Sequence, residues 1–235
     1  MKRFSFAVVP FLFASLLAAQ SVPGEVEITA EHHHHIVLQN QYVRVFSVEV
    51  APHSATLMHR HRHDYMFVTL GASDLENDVA GTPPVSLKLQ NGETRFAPGN
   101  FAHIAKNLAD TPFRNITIEF LQDEKAHQTP PPKWDEERGV DVLQGGTRDI
   151  LFVKDGARVS EMILQPGGVQ PQHRHAGPHL VVAVSDLHLR SGAPGQKATS
   201  AELKSGEVRW VPAGLSHSIT NVGQQPARWV TVEFH

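Results

Sequence analysis

Cysteine is absent from the 235-residue sequence. Disulfides, thiolate nucleophiles, cysteine-bound zinc and iron–sulfur clusters are therefore excluded, and a metal ion would have to be bound through nitrogen and oxygen donors. A basic excess is lacking too: 21 lysines and arginines stand against 24 aspartates and glutamates, and the formal net charge is -3. Nucleic acid is not an expected partner, because no basic patch that could bind phosphates is visible.

Long apolar runs are lacking beyond the first 20 residues. Residues 1–20 place Lys2 and Arg3 before an apolar run at 4–17 and a pair of alanines, which is the layout of a secretory signal peptide. A membrane anchor is the alternative, but a span needs about 20 apolar residues. The sequence therefore predicts a cleaved leader and a secreted or periplasmic mature protein without a membrane partner.

Histidine, by contrast, is abundant, with 16 residues, and several of them belong to an internal repeat. Residues of the same type recur at a constant separation of 114 positions, and the segment 116–120 recurs in similar form at 230–234. The matching pairs are His59 and His173, His61 and His175, Gly92 and Gly206, Pro98 and Pro212, His103 and His217, and Asn107 and Asn221. A register that never shifts indicates two copies of one structural unit.

Each copy has the pattern of a β-structure. Short or alternating apolar runs such as 43–50 and 180–184, punctuated by glycine and proline, predict strands, and no convincing amphipathic helix is visible. Residues 122–147 contain a run of prolines and charged residues that predicts an extended connector. We expect an all-β protein with an N-terminal unit at 36–121 and a C-terminal unit at 148–235.

The spacing of the histidines predicts metal binding in both units. Alternate side chains of a strand point to the same face, so two histidines separated by one residue can direct their imidazoles at one point. A third histidine arrives from a later strand, after a turn that contains glycine or proline. The candidate ligands are His59, His61 and His103 in the first unit and His173, His175, His179 and His217 in the second.

The fourth donor differs between the two units. His179 follows His175 by four positions and favours an all-nitrogen site; in the alternative, it hydrogen-bonds at the pocket edge and water completes the metal shell. The equivalent residue in the first unit is Tyr65, which we interpret as a pocket wall or a hydrogen-bond donor to a ligand, since an unperturbed tyrosine ionises near pH ~10. His63 could also face inward by alternation.

Both units resemble the cupin family, whose motifs are G-x5-H-x-H-x(3,4)-E-x6-G and G-x5-P-x-G-x2-H-x3-N. The second unit matches the second motif in full, with Gly206, Pro212, Gly214, His217 and Asn221. The first unit departs from the glycine positions, with His53 for the leading glycine and Asn100 for the second glycine of the second motif. The motif glutamate is replaced in both units, by the tyrosine and the histidine named above.

The resemblance implies a bicupin, in which two double-stranded β-helix (jelly-roll) barrels follow one another and each holds a divalent transition metal: iron, copper, nickel, manganese or zinc. It further implies a metal-dependent oxygenase (dioxygenase) or decarboxylase that acts on a small oxygen-bearing substrate. The alternative is a non-catalytic cupin that binds a small molecule or only the ion, since this fold has many functions. In a third reading only the second site is active. The sequence is compatible with a monomer or a homodimer.

Charged residues near the repeated motifs have competing interpretations. Arg95 and Arg209 recur at the repeat separation and could bind an anionic substrate through their planar guanidinium groups; a pair with a neighbouring surface acid is the alternative. Glu119 and Glu233 are either hydrogen-bond partners of ligating imidazoles or surface residues.

A run of four histidines, residues 32–35, resembles a short affinity tag. It lies shortly after the predicted leader and directly before a strand-like segment, so we interpret it as native. We expect a solvated entry into the first strand, with a metal-scavenging or lid role as the alternative.

Overall fold

The computed structural model of the chain describes residues 24–121, 140–154, 156–193 and 195–234. These residues form an all-β fold, as the sequence predicted, and their one helical element is a short 3-10 turn at Ile28–Ala30. None of their helices has the length and hydropathy of a membrane span. The predicted leader at 1–20 lies outside the described residues, as does most of the predicted connector.

The first half of the chain contains strands β1 to β10, in order Val26–Glu27, His34–Gln39, Val43–Val50, His59–His61, Tyr65–Leu70, Ser73–Val79, Val85–Leu89, Thr94–Ala97, Phe101–Asn107 and Phe113–Phe120. The second half contains β11 to β18, in order Val140–Lys154, Ala157–Arg174, His179–Ala183, Leu187–Gly192, Thr199–Leu203, Val208–Val211, Ser216–Asn221 and Ala227–Phe234. Strand β11 therefore begins ahead of the predicted start of the second unit at residue 148.

The strands curve into a nearly closed barrel arrangement. In the first half, one five-stranded sheet has the order β1-β4-β9-β6-β7 and the other the order β2-β3-β10-β5-β8. In the second half, an eight-stranded sheet has the order β15-β14-β17-β12-β18-β13-β16, with β11 paired to β12. The long β12 corresponds to β3 and β4 joined, because it pairs with β18 at one end and with β17 at the other.

The sequence repeat is preserved in the strand register. His59 is the pairing partner of His103 in the first half, and His173 is the pairing partner of His217 in the second. Antiparallel partners have Cβ atoms only about 4.5–5.5 Å apart. The pairing therefore brings the HxH pair of each half next to the later histidine, as the spacing predicted.

The repeated asparagines close the loop that follows the last motif histidine. Asn221 is buried, and its side-chain amide donates to the main-chain oxygens of Leu164 and Gln225, both at 2.9 Å. Asn107 makes the equivalent bonds in the first half. A buried amide that satisfies several main-chain carbonyls stabilises this turn, since each unpaired polar group would cost about 1–3 kcal/mol.

The two halves share one apolar core. The largest buried cluster contains Val43 and Met66 from the first half and Leu180 and Val232 from the second. At its edge the ring of Tyr42 lies 5.3 Å from that of Trp210. Because this cluster is continuous, the halves pack directly against each other.

Left-handed backbone explains the glycine positions of the motifs. Gly167 and Gly214 have φ of 75° and 84°, and the residues that replace these glycines in the first half, His53 and Asn100, keep φ at 54° and 66°. A left-handed conformation costs an L-residue roughly 1–2 kcal/mol, and asparagine tolerates it better than most. The turn geometry is thus retained although the glycines are not.

Replacement of Gly214 tests this explanation. Gly214→Ala should lower the free energy of unfolding by about 1 kcal/mol, because a Cβ there meets nothing within 4 Å and backbone strain alone is added. Gly214→Asn should lose clearly less, since Asn100 adopts this conformation at the equivalent position. Denaturant unfolding measures both. Equal losses for the two variants would contradict the explanation.

Candidate metal centres

Four histidines converge inside the first half. His59 and His61 on β4 and His103 on β9 are joined by His34, the first residue of β2, and all four are buried. Neighbouring ring centroids lie between 4.4 Å (His59 to His103) and 6.3 Å (His34 to His61) apart. Ligand nitrogens of three of them, those at positions 34, 59 and 61, lie within 4.8 Å of one another. We call these four residues the N-terminal cluster.

Hydrogen-bond acceptors beside Nδ1 orient the rings of this cluster. Nδ1 of His59 lies 2.9 Å from the main-chain oxygen of Leu57, and Nδ1 of His103 lies 2.6 Å from Oδ1 of Asn77. Because a carbonyl oxygen only accepts, the proton is assigned to Nδ1 and the Nε2 lone pair faces the cluster. Metal-binding histidines have this arrangement, in which the second nitrogen donates to a nearby oxygen.

Glu31 orients the ring of His34 in the same way. Its fully buried carboxylate accepts from Nδ1 of His34 at 2.6 Å, from Nδ1 of His33 at 2.8 Å and from the main-chain N–H of Leu57 at 3.2 Å. Burial alone would raise the pKa of Glu31, but these hydrogen bonds, that from His34 foremost, bring it far below its usual value. Glu31 therefore remains a carboxylate and holds the ring of His34.

Burial keeps the imidazoles neutral. Removal from water lowers the pKa of His59 to about 4 and the pKa values of His61 and His103 well below the usual value. Nε2 of His59 and Nε2 of His103 are buried without a hydrogen-bond partner among the described residues. Buried acceptors left in this state cost about 1–3 kcal/mol each, and a metal ion would satisfy them together.

The structure corrects our interpretation of the four-histidine run. His32 and His35 are exposed, as expected for a solvated entry, but His34 is 9% exposed and belongs to the cluster. The solvated interpretation is therefore wrong for His34. Its role was not visible in the sequence because it precedes the recognisable motif, and only the fold brings β2 beside the HxH strand.

Tyr65 forms the wall of the N-terminal cluster, which was one of its two predicted roles. Its ring stacks on His61 at a centroid distance of 3.9 Å and an angle of 14°. Burial, together with the charge of Glu119, raises its pKa above the usual value, so it stays a neutral phenol. His63 lies in the turn after β4 and is half-buried.

The second half brings His173, His175 and His217 together, and we call these residues the C-terminal cluster. Their ligand nitrogens lie within 4.8 Å of one another. Nδ1 of His173 lies 2.8 Å from the main-chain oxygen of Pro171, and Nδ1 of His217 lies 2.9 Å from Oγ of Ser191. The orienting contacts of the first half are thus repeated at equivalent positions.

Two nitrogens of the C-terminal cluster face each other without room for two protons. Nε2 of His173 and Nε2 of His175 lie 3.0 Å apart. Nδ1 of His173 is the protonated nitrogen, so its Nε2 is a bare lone pair, and either an N–H of His175 donates to it or a metal ion binds both rings. Two ligands at a right angle around an ion with metal–nitrogen bonds of about 2.1 Å would be about 3.0 Å apart. The pair therefore fits a metal ion.

His179 occupies the wall position of the second half. Its ring stacks on His175 at 3.9 Å and 27°, as Tyr65 stacks on His61. Burial lowers its pKa to about 3, and its Nδ1 is buried without a described partner. This geometry favours the pocket-edge role of His179 over metal ligation.

Glu119 and Glu233 lie behind the second histidine of each HxH pair, so the surface alternative is wrong. Oε1 of Glu233 is 3.4 Å from Nδ1 of His175, and Oε1 of Glu119 is 3.7 Å from Nδ1 of His61. Burial raises the pKa of Glu119. For Glu233 burial acts in the same direction but is outweighed by His175 and Arg158, and its pKa falls to about 2.

The cavities beside the two clusters differ in size and charge. The N-terminal cluster borders a cavity of about 70 Å³, and the C-terminal cluster borders one of about 320 Å³. The larger cavity is also lined by arginines and by a single carboxylate, that of Glu233. These arginines are Arg148, Arg158, Arg174 and Arg209.

Arg209 and Arg95, which repeat in sequence, have different surroundings. Arg95 forms an exposed ion pair with Glu93 at 2.8 Å, as the surface alternative proposed. Arg209 lines the large cavity and donates to the main-chain oxygen of Glu202 at 3.3 Å. No carboxylate partner of Arg209 or Arg174 occurs within the described part of the chain. Arg209 is therefore available to an anion.

Arg148 is the counterpart of His34. His34 pairs with Val48 across β2 and β3, and Arg148 pairs with Met162, the residue equivalent to Val48, across β11 and β12. Both strands have an irregularity at the same place. One structural position thus directs an imidazole at the first site and a guanidinium at the second.

Together, fold and sites define an all-β barrel protein with two histidine clusters that could each hold a metal ion. Residues 142–234 match the profile of the family described as Cupin. A search of curated protein sequences finds no match to the chain.

The fold is similar to that of oxalate decarboxylase. A structure that addresses the substrate binding mode and reaction specificity of that enzyme aligns with a TM-score of 0.60 at 13% identity, over 86% of this chain and 72% of that one. A tryptophan-to-tyrosine variant of the Bacillus subtilis enzyme gives the same values. A structure concerned with the Mn(II) centres of the Bacillus subtilis enzyme gives 0.58 and 12%, over 86% and 75%. At these identities the similarity shows the fold alone.

The role of Glu233 can be tested by a charge-neutral substitution. Glu233→Gln should weaken metal binding about 10–100-fold, because residues that orient a ligating histidine have effects of this size. Glu161→Gln is the matched control, since Glu161 pairs with Arg228 in the same half, away from the histidines. Titration of the metal-free protein with Zn²⁺ measures both affinities. An unchanged affinity of Glu233→Gln would show that this glutamate does not support the site.

Proposed function

We propose that the chain is a metal-dependent enzyme made of two tandem cupin barrels, and that it acts on a small carboxylate at the C-terminal cluster. The observation on which this rests is the arginine-lined cavity of about 320 Å³ that borders His173, His175 and His217. The unbroken repeat register and the structural alignment over 86% of the chain support the two-barrel arrangement. The leader-like residues 1–20 support a secreted or periplasmic location.

The residues of the C-terminal cluster suit a divalent transition ion. Neutral imidazoles are common ligands of iron, copper, nickel and zinc, and one structure of similar fold has Mn(II) centres. When bound, the ion would supply Lewis-acid activation of a carboxylate oxygen. His173, His175 and His217 would hold it.

The surrounding side chains would bind and orient the substrate. Arginine binds carboxylates through paired, charge-assisted hydrogen bonds. Arg209 and Arg148 line the same cavity, and Arg148 also donates to Asp141 at 2.8 Å. Apolar side chains such as Leu189 and Leu215 line the rest and would exclude water from the bound carboxylate. This division of a pocket into apolar walls and a few convergent polar groups is typical of small-molecule sites.

Non-catalytic binding is the second candidate, and Glu233 favours it. The carboxylate is paired with Arg158 at 2.7 Å and its pKa is about 2. Glu233 is therefore ionised and engaged at neutral pH and cannot serve as a proton donor. If the protein is an enzyme, its reaction would therefore depend on the metal ion and the arginines and not on a proton from Glu233, as decarboxylation or oxygenation of a carboxylate would.

Carboxylate binding is tested by comparing equivalent arginines. Arg209→Ala should weaken the binding of oxalate, malonate or acetate to the metal-loaded protein roughly ten- to a hundredfold, since a hydrogen bond to a charged group contributes about 1.5–3 kcal/mol. Arg95→Ala, its exposed counterpart paired with Glu93, should leave binding unchanged. Calorimetric titration measures both. Equal affinities for wild type and both variants would contradict a carboxylate site.

Turnover separates the two candidate functions. The protein loaded in turn with iron, copper, nickel, manganese or zinc is mixed with the same carboxylates, and CO₂ release and O₂ uptake are recorded. Release of CO₂ with or without O₂ uptake, lost in His175→Ala, supports the enzyme. Tight carboxylate binding without either signal for any metal would overturn catalysis and leave the binding function.

A further inference from the structure

We propose that the N-terminal cluster is a closed, structural metal site whose fourth ligand is His34, and that the bound ion fastens the N-terminal segment, residues 24–39, to the barrel. The first motif has Tyr65 in place of its fourth metal donor, and His34 supplies the missing donor. This inference concerns the other half of the chain and does not depend on the proposed activity.

The first argument is where the ligands come from. His59, His61 and His103 belong to the sheet β1-β4-β9-β6-β7, whereas His34 belongs to the facing sheet β2-β3-β10-β5-β8. An ion held by all four would connect the two sheets of the first half. The N-terminal segment also reaches this point through β1, whose Val26 pairs with His59.

The second argument is charge. Four neutral imidazoles leave a divalent ion with its full charge, and burying a charge without compensation is costly. Two buried carboxylates stand behind the rings: Glu31 at 2.6 Å from Nδ1 of His34, and Glu119 at 3.7 Å from Nδ1 of His61. Glu119 is also paired with Arg44 at 3.0 Å, as Glu233 is with Arg158 at the other cluster, so Glu31 supplies the additional counter-charge here. At the C-terminal cluster an external anion beside Arg209 would take that part.

The third argument is space. The adjoining cavity is about 70 Å³ and is walled by aromatic side chains, among them Tyr65, Phe67 and Phe113. This volume is less than a quarter of that of the C-terminal cavity, so far less room remains for a carboxylate substrate beside an ion. A metal there stabilises the fold, because an ion that binds only the folded state adds to the free energy of unfolding.

The test is made in a variant that lacks the C-terminal metal site, and it compares the replacement of two neighbouring histidines of β2. His175→Ala removes a ligand of the C-terminal cluster, and His34→Ala or His35→Ala is then added. His35 is exposed and directed away from the cluster, so it is the matched control. Bound zinc per chain and the melting temperature with and without zinc are measured on the full chain.

We expect the His35→Ala protein to keep one zinc ion and its zinc-dependent rise in melting temperature. The His34→Ala protein should bind zinc at least tenfold more weakly, since even residues that only orient a ligand have effects of 10–100-fold, and its melting temperature should barely respond. Equal zinc affinity in the two proteins would overturn the role of His34.

A second measurement leaves His34 in place and so does not depend on the folding of that variant. The His175→Ala protein is loaded with Co²⁺ and titrated with azide while its visible spectrum is recorded. A closed site predicts no spectral change, whereas an open coordination position would bind azide and change the spectrum, which would overturn the proposal. Failure of carboxylate binding at the C-terminal cavity would alter neither result.

Discussion

The structure depends on the hydrogen bonds that hold, by Nδ1, the first histidine of each HxH pair and the later histidine that it meets. In both halves, a main-chain oxygen two residues before the first histidine fixes that ring, at Leu57 and Pro171, and a polar side chain at position 77 or 191 fixes the last. The carbonyl acceptors at positions 57, 77 and 171 assign the proton to Nδ1 and leave the inner nitrogen as a lone pair, whereas the hydroxyl of Ser191 can donate or accept. Strand pairing then gathers the inner nitrogens into a small volume, where a bound cation would stabilise them.

The two halves share these hydrogen bonds but differ in the residue at one structural position. Where β2 places His34, β11 places Arg148. The imidazole adds a donor and closes the first site, with Glu31 behind it; the guanidinium adds a positive charge at the edge of a larger cavity. A repeated barrel can thus acquire one site for stability and one for a ligand by a change in the strand that precedes the motif.

The sequence predicted those features that depend on local spacing. The short or alternating apolar runs predicted the β fold, the constant separation predicted two copies of one unit, and the HxH spacing predicted which histidines meet. It did not predict the role of His34, because the residue lies outside the motif and reaches the cluster through the pairing of β2 with β3. The sequence left the role of His179 open between metal ligand and pocket edge, because a turn separates it from His175 and alternation along one strand does not decide between them. Arg95 and Arg209 are both exposed, and what separates them is the ion pair of Arg95 with Glu93 and the cavity beside Arg209, which two identical residues do not reveal.

Crystals of the protein, grown with zinc or manganese and soaked with oxalate, would test the central claim most directly through anomalous scattering from the metal. The account predicts one ion at each cluster. The first would be bound by His34, His59, His61 and His103 alone, and the second by His173, His175 and His217 with a carboxylate oxygen of oxalate beside Arg209. A first site that binds oxalate, or a second site without metal, would contradict it.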